Sequence, residues 1–299
     1  MNFQFSEEAE ALREQARRFL EDKSGHDKAR AVMDSGVSHD AALWAEIVGL
    51  GWTALRIPEE HGGLGLSVLE LCVLAEELGR VVAPVPFTSS VLLATEALIA
   101  AGTDAQKAKW LPKIAAGEVI GAFATSEGPG AVNPQTLQAS VSGGKLSGTK
   151  IPVTDGDIAD VAVVLANEGG KPSLYLVELA GAGVTRESLK TLDPTRSVAK
   201  ITFAGAAAER LGDAGEGFAL TESVFDRAAV LLAFEQLGGA DRCLEMAKDY
   251  AMDRYAFGRT IAGYQAIKHK LADIYVKNEL ARSNAYFGAW ALNVGAAEL

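Results

Sequence analysis

A carboxylate stands where a carboxylate is costly. In AAVLLAFEQLGGA, residues 228–240, Glu235 lies inside an apolar helical run with Gly238 and Gly239 just beyond it. Burial would raise its pKa towards the range of a general base. A partly exposed glutamate, or one paired with Arg227 or Arg242, is the alternative reading of the same residue. A second candidate lies in RYAFGRTIAGYQ, residues 254–265, where two long helical patterns are interrupted and Arg254 and Phe257 stand at the break. Gly258 and Gly263 would permit the turn. The glycine strings HGGLGL (61–66) and GPG (128–130) read as turns: Val68 and Asn133 stand where a third phosphate-loop glycine belongs, and no GK[ST] follows. No GxSxG is present, and His26, His39, His61 and His269 lack ligand spacing, so neither a serine hydrolase nor a metal site is expected.

The elements that must hold these residues follow from periodicity. Residues 1–118 read as helices. Ser6 is the expected N-cap of the first, with Glu7 and Glu8 in its first turn. Asp40 caps another, Ser67 with Glu70 forms an expected capping box, and Asp104 starts a helix closed by Gly117. From 119 to 212 short β-type runs replace them, with Gly143-Gly144 and Gly169-Gly170 as hairpin signals. From 213 to 299 helical spacing returns as about two long helices. Helix, sheet, helix without a linker argues for an α+β fold with packed layers. Two helices alone leave apolar faces, so further helices or a partner chain should cover them.

Composition excludes several functions. The 28 basic and 39 acidic residues give a net charge of −11, which disfavours nucleic acid. No apolar run reaches the length of a membrane span, and the acidic start is unlike a secretory leader, so a cytoplasmic protein is expected. Cys72 and Cys243 fall in apolar helical patterns and are expected as two buried free thiols.

Four segments in order, IPEEHGGLGLSVLELCVLAEELG (57–79), KWLPKIAAGEVIGAFATSE (109–127), GTKIPVTDG (148–156) and RYAFGRTIAGYQAIKHKLAD (254–273), resemble the FAD-dependent acyl-CoA dehydrogenases. The resemblance implies an N-terminal helical domain, a central β-barrel-like domain and a C-terminal helical bundle, here incomplete, in a homo- or heterotetramer. It implies that Ser126 and Thr154 bond the flavin ring. Arg254 would meet the FAD pyrophosphate across a subunit boundary, with Phe257 and Gln265 also touching the cofactor. A guanidinium suits a diphosphate, and an aromatic ring covers a wet flavin or adenine edge. Phe225 and Asp226, in the FDR matching the family's FD[KR], would bind substrate, Asp226 at the CoA moiety. Pro152 replaces a tryptophan that packs on the flavin, and Val132 replaces a serine near the thioester, which points to an altered, wider substrate side.

The reaction implied is α,β-dehydrogenation of an acyl-CoA thioester, with an electron-transfer flavoprotein as acceptor. The family's base lies beyond residue 299, or at the position of Ala228, and this chain has neither. Glu235, seven residues on and roughly 10 Å along the helix, is the candidate in its place. A non-catalytic subunit of a heteromeric dehydrogenase, or a related flavoprotein oxidase or monooxygenase, is the alternative.

Overall fold

A computed structural model describes residues 5–296. Among the described residues the first third forms α1 (Glu7–Lys23), α2 (His26–Ser35), α3 (Ala41–Gly49), α4 (Val68–Val81), α5 (Glu96–Ala101) and α6 (Asp104–Ala115). Ser6 caps α1 by accepting from the Ala9 N–H, and Asp40 caps α3 from Leu43. Two expected caps change. Ser67 accepts from Leu69 and donates its own hydroxyl proton to Glu70 Oε2, so no reciprocal box forms there. The box sits instead at Thr103, which exchanges hydrogen bonds with Gln106 and moves the N-cap one residue ahead of Asp104. Thr103 with Gln106 satisfies two orphan N–H groups, whereas Asp104 alone would satisfy one. Thr88–Thr95 is a π-helical segment that the periodicity did not announce.

The middle third is one mixed sheet with β1 (Gly121–Ala124), β2 (Ser140–Ser142), β3 (Lys145–Thr154), β4 (Val161–Glu168), β5 (Lys171–Glu178), β6 (Val184–Ser188), β7 (Val198–Ala207) and β8 (Glu209–Leu211). Its strand order is β6-β7-β3-β2-β4-β5-β8, with β1 parallel to β4. Both double-glycine turns connect antiparallel neighbours, and all four glycines have φ between +56° and +85°, as such hairpins require. Strand β4 is buried on both faces: Val161, Val163 and Leu165 meet the Trp110–Leu111–Ile114 cluster of α6, while Ala162, Val164 and Ala166 enter the opposite core.

The last third is α7 (Gly217–Asp253) and α8 (Gln265–Val294), separated by a two-residue hairpin of β9 (Tyr255–Ala256) and β10 (Arg259–Thr260). Two compact units emerge, one of Met1–Ala29, Ser67–Ala83 and Ala229–Leu299, the other of Arg30–Leu66 and Pro84–Ala228. In the first, α4 touches α7 backbone to backbone. A Cβ on Gly79 would sit 1.9 Å from the Glu235 carbonyl oxygen, and one on Gly238 would sit 1.9 Å from that of Glu76. Buried Glu76 is held by Arg13 and Arg282, and buried Glu77 by Arg17. Burial pushes the Glu76 carboxyl up, but these arginines outweigh it and keep it below the usual range. Cys72 is buried on α4, and burial raises its thiol pKa. Cys243 is exposed, which corrects the expectation of two buried thiols. It shares an α7 face with exposed Met246 and Tyr250, at spacings of three and seven residues.

Candidate active site

Strand β1 delivers the first candidate. The chain leaves β1 at Thr125, and the Ser126 carbonyl accepts from the Ile151 N–H at 2.9 Å, tying the loop to β3. Thr154 ends β3, three residues and roughly 10 Å along the strand. Both are half-buried, and neither hydroxyl has a hydrogen-bond partner among the described residues. The Ile151–Pro152 peptide between them is cis. The glycine string at 128–130 is part of the loop that encloses a cavity of about 300 Å³ lined by Ser126, Glu127, Pro129, Val132, Thr136 and Leu137. Phe225 sets its ring edge-on to Phe123 of β1, centroids 5.6 Å apart, and Asp226 beside it is exposed. Ser126 and Thr154 thus lie on a loop and strand tied at Ile151, and Phe225 packs on β1 three residues before Ser126.

Two groups behind these residues have no role implied by the resemblance, although Lys150 and Asp155 fall inside GTKIPVTDG. Lys150 is fully buried on β3, and its Nζ donates to the Thr125 carbonyl at 3.1 Å and to Glu127 Oε1 at 2.8 Å. Only strand phase announces it: residue 150 shares the buried side with Leu146. The second is a carboxylate–hydroxyl cluster at the turn after Thr154. Ser89 donates to Asp155 at 2.5 Å, and Ser197 lies 3.2 Å from Asp155 and 2.6 Å from Asp157. Ser38 and Ser188 donate to the other oxygen of Asp157. Burial pushes the Asp155 carboxyl up to about 6, against the pull of Ser89, Arg196 and Ser197. Asp157, with three serine donors outweighing its burial, is lowered.

The other unit holds the remaining candidates. Arg254 follows α7 directly, exposed and with no side-chain partner among the described residues. Phe257 and Gly258 form the hairpin tip at φ +51° and +80°, and the Phe257 ring is 98% exposed. Gly263 needs no left-handed backbone, so the expectation holds for Gly258 and not for Gly263. Arg259 stacks on Tyr264, 4.1 Å from the ring centroid, and the Tyr264 hydroxyl donates to Ala256, fixing the tip on α8. Gln265 opens α8 and is exposed. Glu235 is half-buried where α7 crosses α4, so the glycines that drew attention to it have a packing reason of their own. HGGLGL is a turn, with Gly62 and Gly65 at φ +79° and +60°.

Residues 6–118 match the family model of the acyl-CoA dehydrogenase N-terminal domain, and residues 215–298 that of the C-terminal domain. The acyl-CoA dehydrogenase IpdE2 of Mycobacterium tuberculosis is 32% identical over 278 residues, 93% of this chain and 74% of that protein. A variant of the Tcur3481–Tcur3483 steroid ACAD has a TM-score of 0.87 at 33% identity, covering 97% of this chain and 79% of that one. Butyryl-CoA dehydrogenase from Megasphaera elsdenii has a TM-score of 0.90 at 27% identity, with 99% and 82% covered. With both terminal domains matched and this identity sustained over most of both lengths, the chain belongs to the acyl-CoA dehydrogenase family.

Proposed function

We propose that the chain dehydrogenates an acyl-CoA thioester between Cα and Cβ, using FAD. The observation that carries this reading is the pair of uncommitted hydroxyls, Ser126 and Thr154, on a loop and strand joined by a backbone hydrogen bond. The donor set fits the dinucleotide. Two hydroxyls suit the polar edge of the ring system, the free Arg254 guanidinium suits a diphosphate, and the bare Phe257 ring with the Gln265 amide suits the aromatic remainder. Bound FAD supplies the acceptor for the hydride leaving Cβ. The chain's own residues do the rest: Phe225 and Asp226 hold the thioester and its CoA moiety, and the Glu235 carboxylate takes the α-proton. An electron-transfer flavoprotein removes the electrons. Protein that retains yellow flavin absorbance through gel filtration, and bleaches when acyl-CoA is added without oxygen, supports the reading. Protein that binds no FAD sinks it. Glu235→Gln should slow bleaching about 10²–10⁴-fold, and an unchanged rate removes Glu235 from the chemistry.

Val132 on the cavity wall and the likeness to a steroid ACAD favour a bulky, ring-bearing acyl group. A higher kcat/KM for a steroid side-chain thioester than for butyryl-CoA supports that choice, and the reverse order discards it. Assembly with a second chain is the companion reading, because α8 exposes Val276 (55%), Leu280 (62%) and Phe287 (41%) on one face.

A further inference from the structure

Lys150 has no exposed surface, and a cation at that depth is costly unless its neighbours compensate. Its two described contacts, the Thr125 carbonyl and the Glu127 carboxylate, belong to the residues on either side of Ser126. Glu127 spends its remaining capacity on the chain beyond: Oε2 accepts from the Gln138 N–H at 2.6 Å and Oε1 from the Ala139 N–H at 2.9 Å. One carboxylate therefore closes the neck of the loop from Gly128 to Leu137, the wall of the 300 Å³ cavity. Ile151, next to Lys150, adds a third tie by donating to the Ser126 carbonyl.

We propose that Lys150 and Glu127 are positioning residues, a buried clasp that fixes the Ser126 main chain and the loop neck and so sets affinity for flavin and thioester. The proposal rests on the reading of Ser126 as a cofactor contact. Neither charged group carries a proton in the reaction. Burial lowers the Lys150 pKa against the pull of Glu127; burial raises that of Glu127, but Lys150, Gln138 and Ala139 outweigh it. Both shifts are those of a desolvated ion pair whose charges are held by each other.

The test uses the full chain with Glu127→Gln, Lys150→Met and both together. Amide hydrogen exchange is read before FAD is added, then FAD affinity, then KM and kcat. The clasp predicts that Gln138 and Ala139 exchange about ten-fold faster in each single variant, with the helical amides unchanged. FAD Kd and acyl-CoA KM should rise about ten-fold, with kcat at saturation within about three-fold of wild type. The double variant, which leaves no uncompensated buried charge, should recover part of the lost affinity. Should Lys150→Met fail to fold, Glu127→Gln still decides, since its amide keeps the size and one acceptor oxygen. Unchanged exchange at Gln138 and Ala139 overturns the clasp, and so does a fall in kcat at constant KM. Wild-type protein that takes up no FAD would overturn the flavin reading alone, while exchange would still decide the clasp.

Discussion

Ser197 has one hydroxyl proton and two carboxylate neighbours, at 2.6 Å from Asp157 and 3.2 Å from Asp155. Burial is what pushes the Asp155 carboxyl up to about 6, with Ser89, Arg196 and Ser197 pulling the other way. The sign follows: the ionised form is the penalised one, so the contribution of Asp155 to stability is present below about pH 4 and lost as pH rises through about 6. Asp155→Asn, neutral at every pH, should remove that loss, so that its stability gains on wild type as pH rises from about 4 to about 7, read by denaturant unfolding across that range. An unchanged pH profile contradicts it. Ser126 and Thr154 were singled out in the sequence by the segments they share with the family. Lys150 and Asp155 were given no role there, because what sets them apart is burial and partners brought from distant parts of the chain. The trace of Lys150 is a charge in phase with buried Leu146, which period-two reading reveals only once the strand register is known, while Asp155 lies in the turn beyond β3.

Helix α4 shows what elements demand of sequence. Its length and N-terminus were readable from Ser67 and the apolar periodicity. Its covering on every side was not, because that depends on α1, α7 and α8 arriving from distant parts of the chain. Gly79 and Gly238 are where two helices meet at backbone distance. Gly79→Ala should cost about 3 kcal/mol or more, since its methyl would meet a carbonyl that cannot withdraw without shifting α7. A melting temperature within a degree or so of wild type would contradict that crossing. The π-helical Thr88–Thr95 stayed hidden for a related reason: its hydroxyls serve tertiary partners, Ser89 reaching Asp155 and Ser90 reaching the Gly121 N–H. The hairpins of the sheet were the most legible elements, because paired glycines with positive φ act within four residues.

At the scale of the whole molecule, α8 leaves Val276, Leu280 and Phe287 exposed on one face, and the described residues include no helix long and apolar enough to cross a membrane. The second chain proposed above would cover them. Leu280→Glu should convert an oligomer to a smaller species in light scattering with little loss of helix signal, and an unchanged mass would place the interface elsewhere. The two sulfurs turn this arrangement into a built-in pair of gauges. Cys243, open on the flank of α7, can be alkylated in the native chain, and association across that flank would shield it. Cys72 can be reached only when the helices around it come apart. Timed labelling with one small electrophile would then report docking and unfolding as separate rates from a single sample, with no tag or dye added.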